Sequence, residues 1–353
     1  MPRAFIVGGT GMIGRAIAAR LLATGWAVDL IGRDAGHLPS GIADAGGRFI
    51  AADRDEPSQL AAALGAGADL VVDCICYSAA HATGLVALAH RAAATVMISS
   101  RAVYVDAAGH SSNSAIPPRF DGPVRETQDT VPPADTDWRT KNGYGASKVA
   151  AELVLLGSGL PITVLRPSKI HGAGAHRPRE WVFVKRALDQ RPAVFLANRG
   201  ADVDHTTAAA NIAALVELAA AKPGRRILNI ADPDAPSALE ISRAIAGLLG
   251  HDREEVFVDS RTTETLGRHP WQRPYPIVLD MSAAVDIGYR PAGNYVETVE
   301  EEVEWLVTSA LKGRDGSELP PRLDAEFFVP FFDYPAEDRY LAARPQPGIA
   351  DPF

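Results

Sequence analysis

Near its N-terminus the chain runs RAFIV, then GGTGMIG, then GRAIAARLLATG, and this short passage restricts the fold more than any other. The first run suits a buried strand. The last spaces its aliphatic residues along one helical face and stops at Gly25. Between them Gly8, Gly11 and Gly14 form a G-x-x-G-x-x-G pattern. A strand joined to a helix by so tight a turn opens a β-α-β unit, and AVDLIGR supplies the second strand.

Such a turn has a chemical use. The backbone of Gly8, Thr10, Gly11, Met12, Ile13 and Gly14 is expected to approach a pyrophosphate, because the first N–H groups of a helix lack intrahelical partners and face an anion. A turn selected only for packing is the competing reading, and the strand-turn-helix context favours a dinucleotide. The end of the second strand selects which one. Gly32 followed by Arg33 suits the extra phosphate of NADP(H), whereas NAD is the alternative if Asp34 takes the ribose hydroxyls. Asp53, after the third strand, is a candidate for the adenine amino group or for a plain turn.

The alternation continues through GRFIAAD, PSQLAAALGAG, ADLVVDCICY, HATGLVALAHRAAA, TVMISS, a helix from Lys148 to Leu156, and PITVLRPSKI. Short apolar strands alternating with helices predict an α/β fold, a Rossmann-type doubly wound parallel sheet with a smaller C-terminal substrate-binding region. The expected boundaries are a dinucleotide-binding domain over 1–172, a partly interleaved substrate-binding region over 173–312, and a Pro- and aromatic-rich tail over 313–353. Residues 105–142 have no period and are rich in Pro, Ser, Asp and Gly, which marks them as an inserted loop. The tail carries too many aromatic residues for plain disorder and is expected to lie on its own surface or a neighbour's.

A formal charge of −8 argues against a nucleic-acid partner, which normally shows as a basic face, although it leaves room for a local basic pocket. The two cysteines, Cys74 and Cys76, alternate on one predicted strand, where they share a face without geometry for a bridge. Together with the absence of a membrane-length apolar run, this predicts a cytoplasmic protein without a membrane partner. His171, His176 and His205 lack ligand spacing, so no metal is expected.

Further motifs, VMISSRAVY, YGASK, LRPSKIHGAG and DIGYRPAGNYVETVEEEVEWL, complete a pattern that resembles the extended short-chain dehydrogenases/reductases, the NAD-dependent epimerase/dehydratase family, over about residues 3–307. The resemblance implies a catalytic set of Ser100, Tyr144 and Lys148, with Tyr144 and Lys148 also holding cofactor and Pro167 shaping the wall beside the nicotinamide. Spacing agrees, since helical residues four apart share a face. A free phenol titrates near 10, so proton transfer at neutrality needs help of the kind a nearby ammonium supplies. Relatives often dimerise through the helices that follow the fourth and fifth strands, which implies a homodimer.

Departures from the family are equally informative. Its dehydratases carry Asp-Glu directly after the catalytic hydroxyl, and this chain has Arg101 and Ala102. Lys169 stands where sugar-nucleotide enzymes tend to have Asn, and the arginine that usually grips their pyrophosphate has no clean counterpart. Arg101, Lys169 and His171 are therefore candidate substrate residues, with Lys169, Arg177 and Arg179 suited to a carboxylate or phosphate. The expected activity is NADP(H)-dependent interconversion of a carbonyl and an alcohol on a small polar or sugar-like metabolite. A redox-neutral epimerase retaining NAD is the alternative, and a non-catalytic dinucleotide sensor is the third reading.

Overall fold

The computed structural model describes residues 1–259, 265–312 and 324–344. Among these the strands are β1 (Arg3–Val7), β2 (Ala27–Gly32), β3 (Arg48–Ala51), β4 (Ala68–Asp73), β5 (Ala92–Ile98), β6 (Ile162–Pro167), β7 (Lys169–His171), β8 (Ala193–Ala197), β9 (Thr206–Ala208), β10 (Arg226–Ile230) and β11 (Glu254–Val258). The helices that matter below are α1 (Met12–Ala23), α2 (Ser40–Asp44), α3 (Pro57–Leu64), α4 (Ala79–Ala89), α5 (Lys141–Gly157), α6 (Trp181–Leu188), α7 (Ala209–Ala221) and α8 (Ala238–Leu249).

Contacts divide the chain into two compact units, and the first comprises residues 1–175, 203–236 and 273–302. Its centre is a seven-stranded parallel sheet in the order β10-β6-β5-β4-β1-β2-β3. Because side chains alternate across a strand, Ala4 and Ile6 face one layer and Phe5 and Val7 the other. On the first face the sheet packs with Ile17 and Leu21 of α1 and Ile212 and Leu215 of α7. On the second it packs with Leu60 of α3, Leu85 of α4 and Leu155 of α5. Both faces are covered, which is why most strand positions are apolar. The strand order reverses between β1 and β4, so a crevice opens at the carboxyl ends of those strands.

Three details move the site. Helix α5 begins at Lys141, earlier than the Lys148 start read from the sequence, because the Thr140 hydroxyl accepts the Gly143 N–H at 3.0 Å. Tyr144 therefore lies in its first turn. Residues 203–236 and 273–302, assigned by sequence to the substrate-binding region, pack in the first unit: β10 becomes its seventh strand and α7 packs on α1. The aperiodic 105–142 insertion is pinned by Asp106, whose carboxylate accepts backbone N–H groups from Ala108, His110 and Arg119 at 2.8–3.0 Å.

The second unit comprises residues 176–202, 237–272 and those from 303 onward. It holds the parallel pair β8–β11, with α6 packed on α8, and a core including Phe195, Val256 and Val258. The described part of the tail, 324–344, covers this unit's own surface. Its Tyr340 meets Phe195 edge-on at 5.4 Å, and the buried Glu337 accepts from Arg186 at 2.7 Å. The tail residues 313–323 and 345–353 lie outside the described residues. No helix among the described residues is long and apolar enough to cross a membrane. Cys74 and Cys76 are free and buried, and burial pushes the Cys76 thiol up to about 12.

Candidate active site

The glycine turn is built as its composition demands. Gly8 has φ +77°, which side-chain-bearing residues rarely adopt, and a Cβ on Gly14 would stand 2.4 Å from the Gly8 carbonyl oxygen. Gly9, which the spacing pattern passed over, is equally constrained, because its Cβ would stand 2.8 Å from Leu30. Gly11 caps α1, and no acidic residue occupies the helix's first turn, so the N–H groups of Met12, Ile13 and Gly14 begin it without a competing anion. Arg15 braces the turn by donating to the Thr10 carbonyl at 2.6 Å and the His37 carbonyl at 2.7 Å.

A groove of about 470 Å³ starts at this turn. Gly8, Thr10, Gly11, Arg33 and Asp53 line it, together with Tyr77 and Trp138. Its shape and donors fit a dinucleotide, with the pyrophosphate end at the glycines. At the far side of β2, Asp34 accepts the Gly36 N–H at 2.8 Å and its other oxygen lies 3.6 Å from His37. Arg33 is exposed and lines the groove. Asp53 accepts the Asp55 N–H at 3.0 Å, which shapes the turn into α3.

Beside Tyr77, which lines the groove, stand two of the catalytic candidates, Tyr144 and Lys148. Ser100 ends the loop after β5 and caps a short 3-10 helix, its oxygen accepting the Ala102 N–H at 3.1 Å. Its own hydroxyl proton is thereby left to donate. Lys148 is buried, and its ammonium donates to the carbonyls of Cys76 at 2.8 Å and Ile98 at 2.9 Å. The same ammonium sits 4.4 Å from the Tyr77 ring centre and 5.8 Å from that of Tyr144. Tyr144 is half-buried. Tyr77 in turn stacks on Trp138 at 4.3 Å, which brings the insertion to the groove. Pro167 is buried at the end of β6, paired with Ile230.

Two buried ionic clusters flank this set. In the first, Glu152 of α5 accepts from Ser99 at 2.5 Å and takes two donors of Arg166 at 3.1 and 2.5 Å. In the second, Asp204 is fully buried and meets Arg101 at 2.5 Å, Arg273 at 2.8 Å and the ammonium of Lys169. Burial opposes the charge on Asp204, yet the three cations outweigh it and hold the carboxyl far below the usual range. The β7–β9 pairing makes this possible by setting Lys169 opposite Thr206, two residues from Asp204.

The remaining predicted residues are placed elsewhere. His171 is buried, 3.0 Å from Asp232, with its ring against Tyr295 at 5.0 Å, which is a core environment. Arg177 pairs with Asp324 at 2.6 Å in the second unit. Sequence reasoning passed over Gly9, Tyr77, Trp138, Asp204 and Arg273. Only Asp204 carried a local signal, an acid among apolar and small residues in VDHTTAAA.

The model of the NAD-dependent epimerase/dehydratase family matches residues 4–231. No curated protein sequence gives a significant match. Among solved structures, a UDP-glucose 4-epimerase of Thermotoga maritima bound to UDP-glucose is 17% identical, with a TM-score of 0.64 over 86% of this chain and 98% of that one. A dTDP-glucose 4,6-dehydratase of Bacillus anthracis in complex with NAD is 14% identical, with a TM-score of 0.64 over 88% and 98%. A UDP-N-acetylglucosamine 4-epimerase of Methanobrevibacter ruminantium is 17% identical, with a TM-score of 0.65 over 87% and 98%. At these identities the likeness establishes the fold.

Proposed function

The chain belongs to the NAD-dependent epimerase/dehydratase family, and from that premise we propose that it interconverts a carbinol and a carbonyl on a sugar-like metabolite, in a redox-neutral epimerisation. The observation that supports this reading is that Tyr144 and Lys148 of α5 lie beside Tyr77, which lines the glycine-lined groove. Gly8, Thr10, Gly11 and Tyr77 would hold a nicotinamide dinucleotide, which when bound supplies the acceptance and return of hydride.

Tyr144 takes the proton from the substrate hydroxyl and gives it back. Lys148, one helical turn away, lowers the energy of negative charge on the Tyr144 oxygen, and the carbonyls of Cys76 and Ile98 fix its position. Ser100 donates to the substrate oxygen as charge gathers there. Arg101 and Ala102 supply no acid-base pair for elimination, which argues against dehydration.

Arg33 favours a second reading, net NADP(H)-dependent oxidoreduction. It lines the groove, while Asp34 is occupied in capping its own turn. One experiment separates the two: denature freshly purified protein, identify released dinucleotide by mass spectrometry, and assay Tyr144→Phe for turnover. Near-stoichiometric NAD⁺ supports the epimerase, whereas an empty site that prefers NADPH supports the reductase. Tyr144→Phe is expected to lose at least about a hundredfold in kcat, the lower end for general acid-base catalysis, and a variant retaining most of its kcat would sink both readings.

A further inference from the structure

Two residues of the 105–142 insertion, Trp138 and Arg139, line the same groove as Gly8, Thr10 and Gly11 of the glycine turn. An anion seated on that turn therefore shares one cavity with a cation brought by the insertion.

The charges of the groove make that cation matter. A dinucleotide carries its pyrophosphate into a groove that is also lined by Asp34, Asp53 and Asp55, and nearby cations must offset the repulsion. Arg54 is committed elsewhere, because it pairs with the buried Asp73 at 2.8 Å. Two arginines remain. Arg33 is exposed and makes no ion pair among the described residues. Arg139 is 68% exposed, and its one ion pair among the described residues is a long contact, 3.7 Å, to Asp137.

Stacking aims Arg139. Its guanidinium carbon lies 4.3 Å from the centre of the Trp138 ring, and Trp138 lies on Tyr77 with the ring centres 4.3 Å apart and 14° between their planes. Tyr77 is itself fixed, since its backbone N–H donates to His81 at 3.1 Å and the Lys148 ammonium lies 4.4 Å from its ring. The arginine is thus ordered before a ligand arrives, which spares it rotamer entropy that a free surface side chain loses on binding.

We propose that Arg139 binds a phosphate of the dinucleotide and that Trp138 is the positioning residue that aims it, an assignment that rests on the dinucleotide reading of the groove and not on the reaction. A guanidinium both stacks on an aromatic face and offers a fork of donors that matches phosphate oxygens. The insertion is thereby part of the cofactor site, beside the glycine turn and Arg33.

The test titrates NADH and NADPH into the full-length protein, cleared of any copurified dinucleotide, and repeats both with Arg139→Gln, Trp138→Ala and Trp138→Phe. Circular dichroism checks that each variant folds. Arg139→Gln is expected to weaken binding roughly 10-fold, Trp138→Ala by a comparable factor, and Trp138→Phe to restore most of it. A loss for both dinucleotides puts Arg139 on the pyrophosphate, and a loss for NADPH alone puts it on the extra phosphate. Added salt should shrink the gap between wild type and Arg139→Gln, which a merely structural arginine would not produce. Unchanged affinity of Arg139→Gln for both dinucleotides overturns the proposal and leaves the groove as a dinucleotide site, whereas a wild type that binds neither overturns both. An Arg139→Gln loss that a folded Trp138→Ala does not reproduce overturns the role of Trp138. If Trp138→Ala fails to fold, the exposed Arg139→Gln decides alone.

Discussion

Glu152 and Asp204 are both buried carboxylates of the same unit, flanking the same loop after β5, yet they are satisfied in different ways. Glu152 meets one guanidinium fork-on, with Ser99 as a third donor, and Arg166 fills its remaining surroundings with the Tyr104 ring at 4.8 Å. The Tyr104 hydroxyl continues the network to Asn229 at 2.6 Å, and burial pushes that phenol up to about 12. Donors and acceptors balance there. Around Asp204 three cations share one carboxylate. A balanced buried pair ties α5 to β6 and so fixes where Tyr144 and Lys148 stand. The Asp204 cluster instead draws three separate stretches of chain, after β5, on β7 and at Arg273, onto one buried carboxylate.

The contrast is open to attack in order of effect. Glu152→Ala should cost the most, about 3–5 kcal/mol of unfolding free energy, since it strands a buried guanidinium. Urea denaturation measures this, and a loss below about 1 kcal/mol would break the claim that the pair is structural. Asp204→Asn comes next, with a pH signature. The folded carboxyl lies below its unfolded value, so its contribution is full above about pH 4 and falls progressively on further acidification. The stability gap between wild type and Asp204→Asn should therefore narrow below about pH 4, and a gap that widened there would reverse the assignment. Lys169→Met should be smallest, within about 1 kcal/mol in denaturant, because it relieves repulsion as it removes an attraction. A Lys169→Met loss as large as that of Glu152→Ala would make the two clusters alike.

How much of this was legible in the sequence depends on how local the cause is. The glycine turn, the helical face of α1 and the Tyr144–Lys148 spacing each lie within a few residues, and the family model spans the region that contains them. The start of α5 was misplaced because Thr140, its cap, sits at the end of an aperiodic loop where no apolar period announces a helix. Trp138 was invisible for the same reason, although its stacking on Tyr77 brings the insertion to the groove. His171, a plausible pocket residue by its position after the RP motif, is drawn into the core by Asp232, which follows β10.

The sequence by itself determined the alternation of strands and helices, the glycine turn that starts α1 and the spacing that puts Tyr144 and Lys148 one helical turn apart, since periodicity, glycine conformation and helical spacing all act over a few bonds. Only the tertiary structure decided that Arg101, Lys169, Asp204 and Arg273 meet. Coulomb interaction depends on distance in space, and that distance was set by the sheet order and the β7–β9 pairing, to which no single stretch of chain is party.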